Sequence, residues 1–278
     1  MAIKNHLMRF RKYFLILFIL VVGLPALTAQ CNKSKDYIDS HYDSTQADFS
    51  LEFFNPYSKE SMGPDNIKTR FKNFDCSPIW RDGWGRDGVL GNNYWRIQFV
   101  IIGAEKDKHN PYLYHITGKS KLRDTITDFT GTIEVIEALM NNSDPTEIDS
   151  TTHGYLYTKY HFQQDNKLPN TGIFAGTESS LFQIDTIHKQ LTSDTVVGIG
   201  DDDYANDTFV GTWVKYNSTK PLKCIWGNGR LPFTFDFDTG DGDIAPNERY
   251  RKNGWQGYPD DEQTDTDNGP VIVKWWLK

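Results

Sequence analysis

The signatures of the common enzyme classes are missing from this chain of 278 residues. Its 7 histidines are scattered and form neither a His-x-His nor a His-Glu-x-x-His spacing, which argues against a zinc site. There is no Gly-x-Ser-x-Gly turn to present a serine nucleophile. Gly118-Lys119-Ser120 lacks the upstream glycine of a phosphate-binding loop. The sequence therefore favours a protein that is not an enzyme and predicts no organic cofactor.

A patch of positive charge is also missing. Residues 1–29 contain four basic and no acidic residues, so 26 Lys and Arg remain beyond them against 37 Asp and Glu, a formal charge of −11. Proteins that bind nucleic acid need basic residues to neutralise phosphates. The sequence therefore excludes nucleic acid as the expected partner.

Cysteine is scarce, with only Cys31, Cys76 and Cys224 in the chain. In an oxidising compartment a disulfide between Cys76 and Cys224 would close a long loop and contribute about 3–5 kcal/mol to stability. The alternative is that Cys76 and Cys224 are buried free thiols, because sequence cannot show that two thiols meet. If this bridge forms, Cys31 is left without a partner and is either free or lipidated.

Only one long apolar run occurs, from Tyr13 to Leu27. Basic residues precede it and small residues follow it, which is the pattern of a secretory signal peptide over residues 1–29. A membrane-spanning helix needs about 20 apolar residues, and this run is shorter and is interrupted by Gly23 and Pro25. We expect cleavage after Ala29, a secreted or periplasmic product, and no membrane span after cleavage.

A lipid anchor is the alternative fate of the new N-terminus. The sequence from Leu27 to Cys31 has the leucine and the cysteine of a bacterial lipobox, but Gln30 stands where glycine, alanine or serine is usual. Attachment through Cys31 would make the product lipid-anchored.

A helical pattern of apolar residues is absent, and polar and apolar residues alternate instead. Trp95, Ile97, Phe99 and Ile101 lie on one face of an extended chain, and similar alternation recurs in several runs, including 155–163 and 271–277. Residues 30–93 are rich in turn signals and predict a loop-rich entry segment that packs on the main domain. Residues 94–278 predict an antiparallel β domain.

A Phe-x-Gly-Thr pattern recurs three times within predicted strands, at residues 129–132, 174–177 and 209–212. Phenylalanine and glycine two positions apart lie on the same face of a strand. Glycine inside a strand permits a bulge, a bend or close packing of a neighbouring strand. The pattern predicts an all-β fold with a curved antiparallel sheet, as a barrel or a sandwich.

Several short motifs carry a resemblance to known proteins. They are the stretch from Arg96 to Ile133, which contains Tyr114-His-Ile-Thr-Gly-Lys-Ser120, and the later Phe209-Val-Gly-Thr-Trp213, Cys224-Ile-Trp-Gly227 and Asn253-Gly-Trp255. Together they resemble a group of secreted β-rich proteins from Bacteroidota to which no activity is assigned, over roughly residues 90–258. The resemblance implies a Gram-negative envelope or an extracellular setting. The Gly-Thr-Trp strand is also similar to strands of lipocalin and avidin barrels.

The acidic loop 236–243 is the candidate metal site. Asp236, Asp238, Asp241 and Asp243 stand among glycines, and flexible turns with many carboxylate oxygens suit Ca²⁺. Gly240 stands where an EF-hand loop has its third acidic ligand, so a solvated turn is the alternative.

Aromatic residues make up 14% of the chain, and most of them are expected in strands. The favoured function is non-enzymatic binding of a ligand, a glycan or an envelope protein at the cell envelope or outside the cell. A secreted glycan hydrolase with a carboxylate pair drawn from Glu134, Glu137, Glu178 and Asp185 is one alternative. A structural envelope component is the other. An open, lined interior of the sheet would favour binding, and a filled interior would favour structure.

Overall fold

The alternating runs form the strands of an all-β fold. The computed structural model describes residues 65–81, 83, 85–140, 152–194, 207–240, 244–258, 263–265, 269–271 and 274–277. Ile97, Phe99 and Ile101 of strand β2 (Trp95–Lys106) are buried together in the core, as their alternation predicts. The all-β prediction is confirmed.

The other elements follow in chain order. The remaining strands are β1 (Arg86–Leu90), β3 (Leu113–Leu122), β4 (Thr125–Met140), β5 (His153–Gln164), β6 (Gly172–Asp185), β7 (Gln190–Ser193), β8 (Thr208–Lys215), β9 (Pro221–Gly227), β10 (Gln263–Asp265) and β11 (Gly269–Val271). The helices within the described ranges are short: an α-helix, α1 (Ser77–Trp80), and 3₁₀ helices at Lys68–Phe71, Glu248–Asn253 and Trp275–Leu277.

Eight of the described strands pair around a closed ring. The order is β1-β2-β3-β4-β5-β6-β8-β9, and β9 returns to β1, where Leu90 pairs with Cys224. Every pairing in the ring is antiparallel. β7 lies outside this order and pairs with the last residues of β6. The prediction of a curved antiparallel sheet is therefore confirmed, and it takes the form of a ring.

The ring begins earlier than the predicted β domain does. β1 lies at Arg86–Leu90, inside the range 30–93 for which turn signals predicted loops. Gly88 is one of those signals, yet it lies within the strand because a Cβ there would be 2.6 Å from the carbonyl oxygen of Ile225. Here glycine permits close strand packing rather than a turn.

The three Phe-x-Gly-Thr patterns lie in β4, β6 and β8, and their phenylalanines belong to the core. Gly176 and Gly211 face each other across β6 and β8. A Cβ at Gly131 would lie 2.8 Å from Cα of Phe162 on β5. Each glycine therefore allows a close approach between neighbouring strands, as the pattern predicted.

The segment around α1 packs at one end of the ring. Ile79 and Trp80 belong to the core, and the Trp80 ring lies edge-on to Tyr114 with 5.0 Å between ring centroids. Tyr114 stands near the start of β3, so this end is opposite the β3–β4 turn at Arg123. The backbone of Asp75 bonds to Lys189 and Leu191, which joins this segment to β7.

The C-terminal run 271–277 differs from its predicted strand. Trp275 and Trp276 start a 3₁₀ helix, and both are buried. A strand would place these two consecutive side chains on opposite faces. Their rings pack with Val100 in a small separate cluster. Where the chain is described, no helix combines the length and the apolar character needed to span a membrane. The predicted signal peptide and Cys31 lie outside the described residues.

Candidate ligand-binding site

A cavity of about 390 Å³ occupies the end of the ring opposite α1. We call it the cup. Its lining side chains come from seven strands, from the turn between β3 and β4 and from the loop between β5 and β6: Leu90, Trp95, Ile97, Ser120, Leu122, Arg123, Thr125, Thr127, Gln164, Pro169, Asn170, Phe174 and Trp213. The interior of the ring is therefore open at this end.

Packed aromatic rings close the cup from below. Three phenylalanines lie two positions deeper in the ring than lining residues of the same strands. Phe99 and Phe129 follow Ile97 and Thr127, and Phe162 precedes Gln164. The Phe129 and Phe162 rings stack with 4.8 Å between centroids, and Phe99 stacks on Trp226 at 4.2 Å. These rings are buried and fill the middle of the ring. These packed rings therefore form the floor of the cup.

Gln164 organises the polar part of the cup. Its Nε2 donates to Ser120 Oγ at 3.0 Å. Its Oε1 accepts from the backbone N–H of Gly172 at 2.9 Å and from Trp213 Nε1 at 3.2 Å. Ser120 Oγ in turn donates to the carbonyl of Thr127 at 3.3 Å. This network fixes the amide, the hydroxyl and the indole before any ligand arrives.

The rim carries one cation that lies against an aromatic ring. Arg123 is the first residue of the two-residue turn between β3 and β4, and its φ of 55° places it in the left-handed region. Its guanidinium carbon lies 4.0 Å from the centroid of the Trp95 ring, a cation–π contact. Across the rim, Lys215 Nζ donates to Asn170 Oδ1 at 2.8 Å.

The wall of the cup combines apolar surface with a few polar groups. It offers aliphatic and aromatic surface, with hydroxyl and amide groups at a few fixed points. No carboxylate is found among the described residues that line it. The cup can hold an apolar body and direct hydrogen bonds to it.

Buried carboxyl groups lie on the other side of the aromatic floor. Glu178 of β6 is wholly buried and accepts hydrogen bonds from Thr158 Oγ1, at 2.5 Å, and from Ser180 Oγ. Burial raises the pKa of Glu178 to about 7, although the two hydroxyl groups favour its ionised form. Nearby, the buried Arg86 Nε lies 2.6 Å from Asp207 Oδ2.

The four acids considered for a hydrolase lie in different places. Glu178 is inside the ring, whereas Glu134 is exposed and pairs in register with Lys159 on β5. Asp185 stands at the end of β6, where its Oδ2 lies 2.6 Å from His188 Nδ1. Glu137 is half-buried on β4, and burial raises its pKa.

Protein groups already contact both described acids of the predicted calcium loop. Asp238 Oδ1 accepts from the N–H groups of Gly240 and Ala245 at 3.0 Å each, and its Oδ2 lies 3.3 Å from Arg230 Nε. Asp236 pairs with Arg249 and also accepts from the hydroxyl of Tyr250. Asp241 and Asp243 lie outside the described residues. Calcium binding by this loop stays a prediction.

The disulfide predicted between Cys76 and Cys224 is absent from the structure, in which both are buried free thiols. Cys76 precedes α1, and its backbone N–H donates to the hydroxyl of Tyr114. Cys224 lies in β9 and faces the core. Both side chains thus serve as buried core residues, which was the alternative interpretation of the sequence.

The sequence contained a usable signal for Glu178 but none for the cup. Glu178 is four residues after Phe174 in one strand, so it shares the inward face with Phe174 and Gly176. Ser120, Gln164 and Trp213 meet only because the ring brings β3, β5 and β8 around a common interior. Searches against family models, curated proteins and solved structures found no match to this chain.

Proposed function

We propose that this chain is a binding protein that holds a small organic molecule in the cup. One observation carries the proposal: the ring is filled at its middle by aromatic side chains but is open and lined at one end. A volume of about 390 Å³ suits a small ligand.

The lining supports a ligand with an apolar, ring-bearing body. Trp213 and Phe174 offer flat aromatic surface, and Ile97 offers aliphatic surface. Ser120 and Gln164 hold their polar atoms in place, so a ligand gains hydrogen bonds without the entropic cost of ordering them.

Binding is a better proposal than hydrolysis because the wall of the cup contributes no acid in the described part of the chain. Glycan hydrolysis needs two carboxyl groups on either side of the scissile bond. The buried acid Glu178 lies beyond the floor. We further propose that the protein acts outside the cytoplasm, on the basis of the predicted signal peptide and the resemblance to secreted Bacteroidota proteins.

The proposal is tested with N-phenyl-1-naphthylamine, an uncharged fluorescent probe in which an amine nitrogen joins a naphthalene ring to a phenyl ring. We expect saturable binding to the wild-type chain. Thr127→Phe places a large ring inside the cup and abolishes this binding. Thr130→Phe is the matched control, because Thr130 lies on the same strand and is exposed on the outer face.

Circular dichroism and thermal melts establish that both variants fold. Loss of probe binding in Thr127→Phe alone supports the proposal. Equal binding by the two variants, or no saturable binding by the wild-type chain, contradicts it.

A further inference from the structure

We infer that the cup takes an organic anion and that Arg123 pairs with the anionic group of this ligand. This inference rests on the proposed function, because it names the ligand class for the same cup. The first observation is one of charge. Arg123 is the sole charged side chain among the described lining residues, although acids outnumber bases in the chain as a whole, 37 to 30.

The second observation is that Arg123 lacks the partner that other arginines have. Five other described arginines contact a carboxylate: Arg86, Arg96, Arg230, Arg249 and Arg251. Arg123 contacts the ring of Trp95 instead, and in the described residues no acid forms an ion pair with it, including its exposed neighbour Asp124. Its guanidinium therefore keeps its donors for a ligand.

The third observation is that the guanidinium is held at the opening. The tight turn fixes the backbone of Arg123, and the guanidinium carbon lies 4.0 Å from the centroid of the Trp95 ring. This cation–π contact engages the charge of the guanidinium and supplies no hydrogen-bond acceptor to its N–H donors. A fork of such donors matches the two oxygens of a carboxylate, a sulfonate or a phosphate group.

These observations define an amphiphilic ligand. Its apolar body lies on Phe174 and Trp213 inside the cup, and its acidic group meets Arg123 at the rim. Because Arg123 is exposed, water and salt screen this contact, so it discriminates between ligands more than it supplies total affinity.

Two probes that share one ring body test the inference. The first is 8-anilinonaphthalene-1-sulfonate, and the second is N-phenyl-1-naphthylamine, which lacks the sulfonate. We expect the wild-type chain to bind the anion more tightly. Arg123→Gln weakens anion binding by about tenfold and weakens binding of the neutral probe by no more than about twofold. Added NaCl weakens anion binding to the wild-type chain but hardly affects binding to Arg123→Gln.

Lys119→Gln is the control for net charge, because Lys119 is on the outer face of β3, the strand that leads into the turn at Arg123. It leaves the Kd of both probes unchanged. Equal losses for the two probes in Arg123→Gln would show that Arg123 only packs on Trp95, which overturns the inference. Equal affinity of the wild-type chain for both probes also overturns it, while leaving the proposed function intact. Failure of both probes to bind counts against the proposed function itself.

Discussion

The hydroxyl group of Tyr160 lies against the backbone of Gly211. A Cβ at Gly211 would lie 2.7 Å from Tyr160 Oη and 2.8 Å from Cα of Gly176, both closer than real Cβ atoms approach a neighbour. Tyr160, Gly176 and Gly211 belong to three consecutive strands of the ring, β5, β6 and β8. The missing side chains therefore provide the space in which the Tyr160 ring packs.

Gly211→Ala is expected to destabilise the fold. The added methyl group forces β6 and β8 apart or displaces Tyr160, and overpacking of this kind costs about 1–3 kcal/mol. Urea denaturation measures the loss. Thr212→Ala is the control on the same strand and changes the free energy of unfolding by no more than about 1 kcal/mol. Equal effects would show that the glycine has no special steric role.

Glu178→Gln is expected to change how stability depends on pH. The folded-state pKa of Glu178 is raised to about 7 from an ordinary value of 4.5. The unfolded chain therefore releases this proton at lower pH than the folded chain does. The stability contributed by protonated Glu178 is complete below pH 4.5 and is lost as pH rises from 4.5 to 7.

Glutamine cannot ionise, so the variant keeps its stability across this window. Thermal melts should show similar Tm values at pH 4 and a higher Tm for Glu178→Gln at pH 8, by a free energy on the order of a few kcal/mol. Glu134→Gln, at an exposed acid, follows the wild-type profile. A Glu178→Gln profile parallel to that of the wild type would contradict the raised pKa.

The two buried thiols are expected to resist modification in the folded state. Burial raises the pKa of Cys76 to about 11 and also raises the pKa of Cys224, so little reactive thiolate forms at neutral pH. In a Cys31→Ser variant, a disulfide-exchange reagent should find no reactive thiol until guanidinium is added, and then both should react. A disulfide between Cys76 and Cys224 would instead leave no thiol in guanidinium without reductant.

Arg86→Met is expected to destabilise the fold strongly. The side chain of Arg86 is fully buried, and the substitution leaves its partner Asp207 as a buried charge, which costs about 3–5 kcal/mol. Lys119→Met is the matched control, because its partner Asp128 is 80% exposed and such a pair contributes at most about 1 kcal/mol. Denaturant titration of both variants compares them, and similar losses would contradict this difference.

Asp238→Ala is expected to destabilise the fold whether or not calcium is present. Its carboxylate accepts two backbone hydrogen bonds and meets Arg230, and removal of an acceptor with these partners costs about 1–3 kcal/mol. Melts in EDTA and in CaCl₂ should show the same loss. A loss seen only in CaCl₂ would support the calcium site and would show that Asp238 is a ligand.

Alternation predicted β2 and β5, because an inward face imposes a period of two along β2 and along the second half of β5. It was insufficient for β1, which is short and contains Gly88, a residue that also marks turns. The cup was beyond prediction for a different reason. Its residues are far apart in sequence, and only the pairing order of the strands brings Ser120 beside Gln164.

The pairing of β1 with β9 has a consequence for the kinetics of folding. β1 stands at the start of the ring and β9 at its end, so nearly half of the chain separates the two partners that close it. Loop-closure entropy opposes such distant contacts, and sheets dominated by them fold in about milliseconds to seconds. A chain that stops before β9 leaves β1 and β8 with open edges. We therefore expect the ring, and with it the cup, to become complete late in folding.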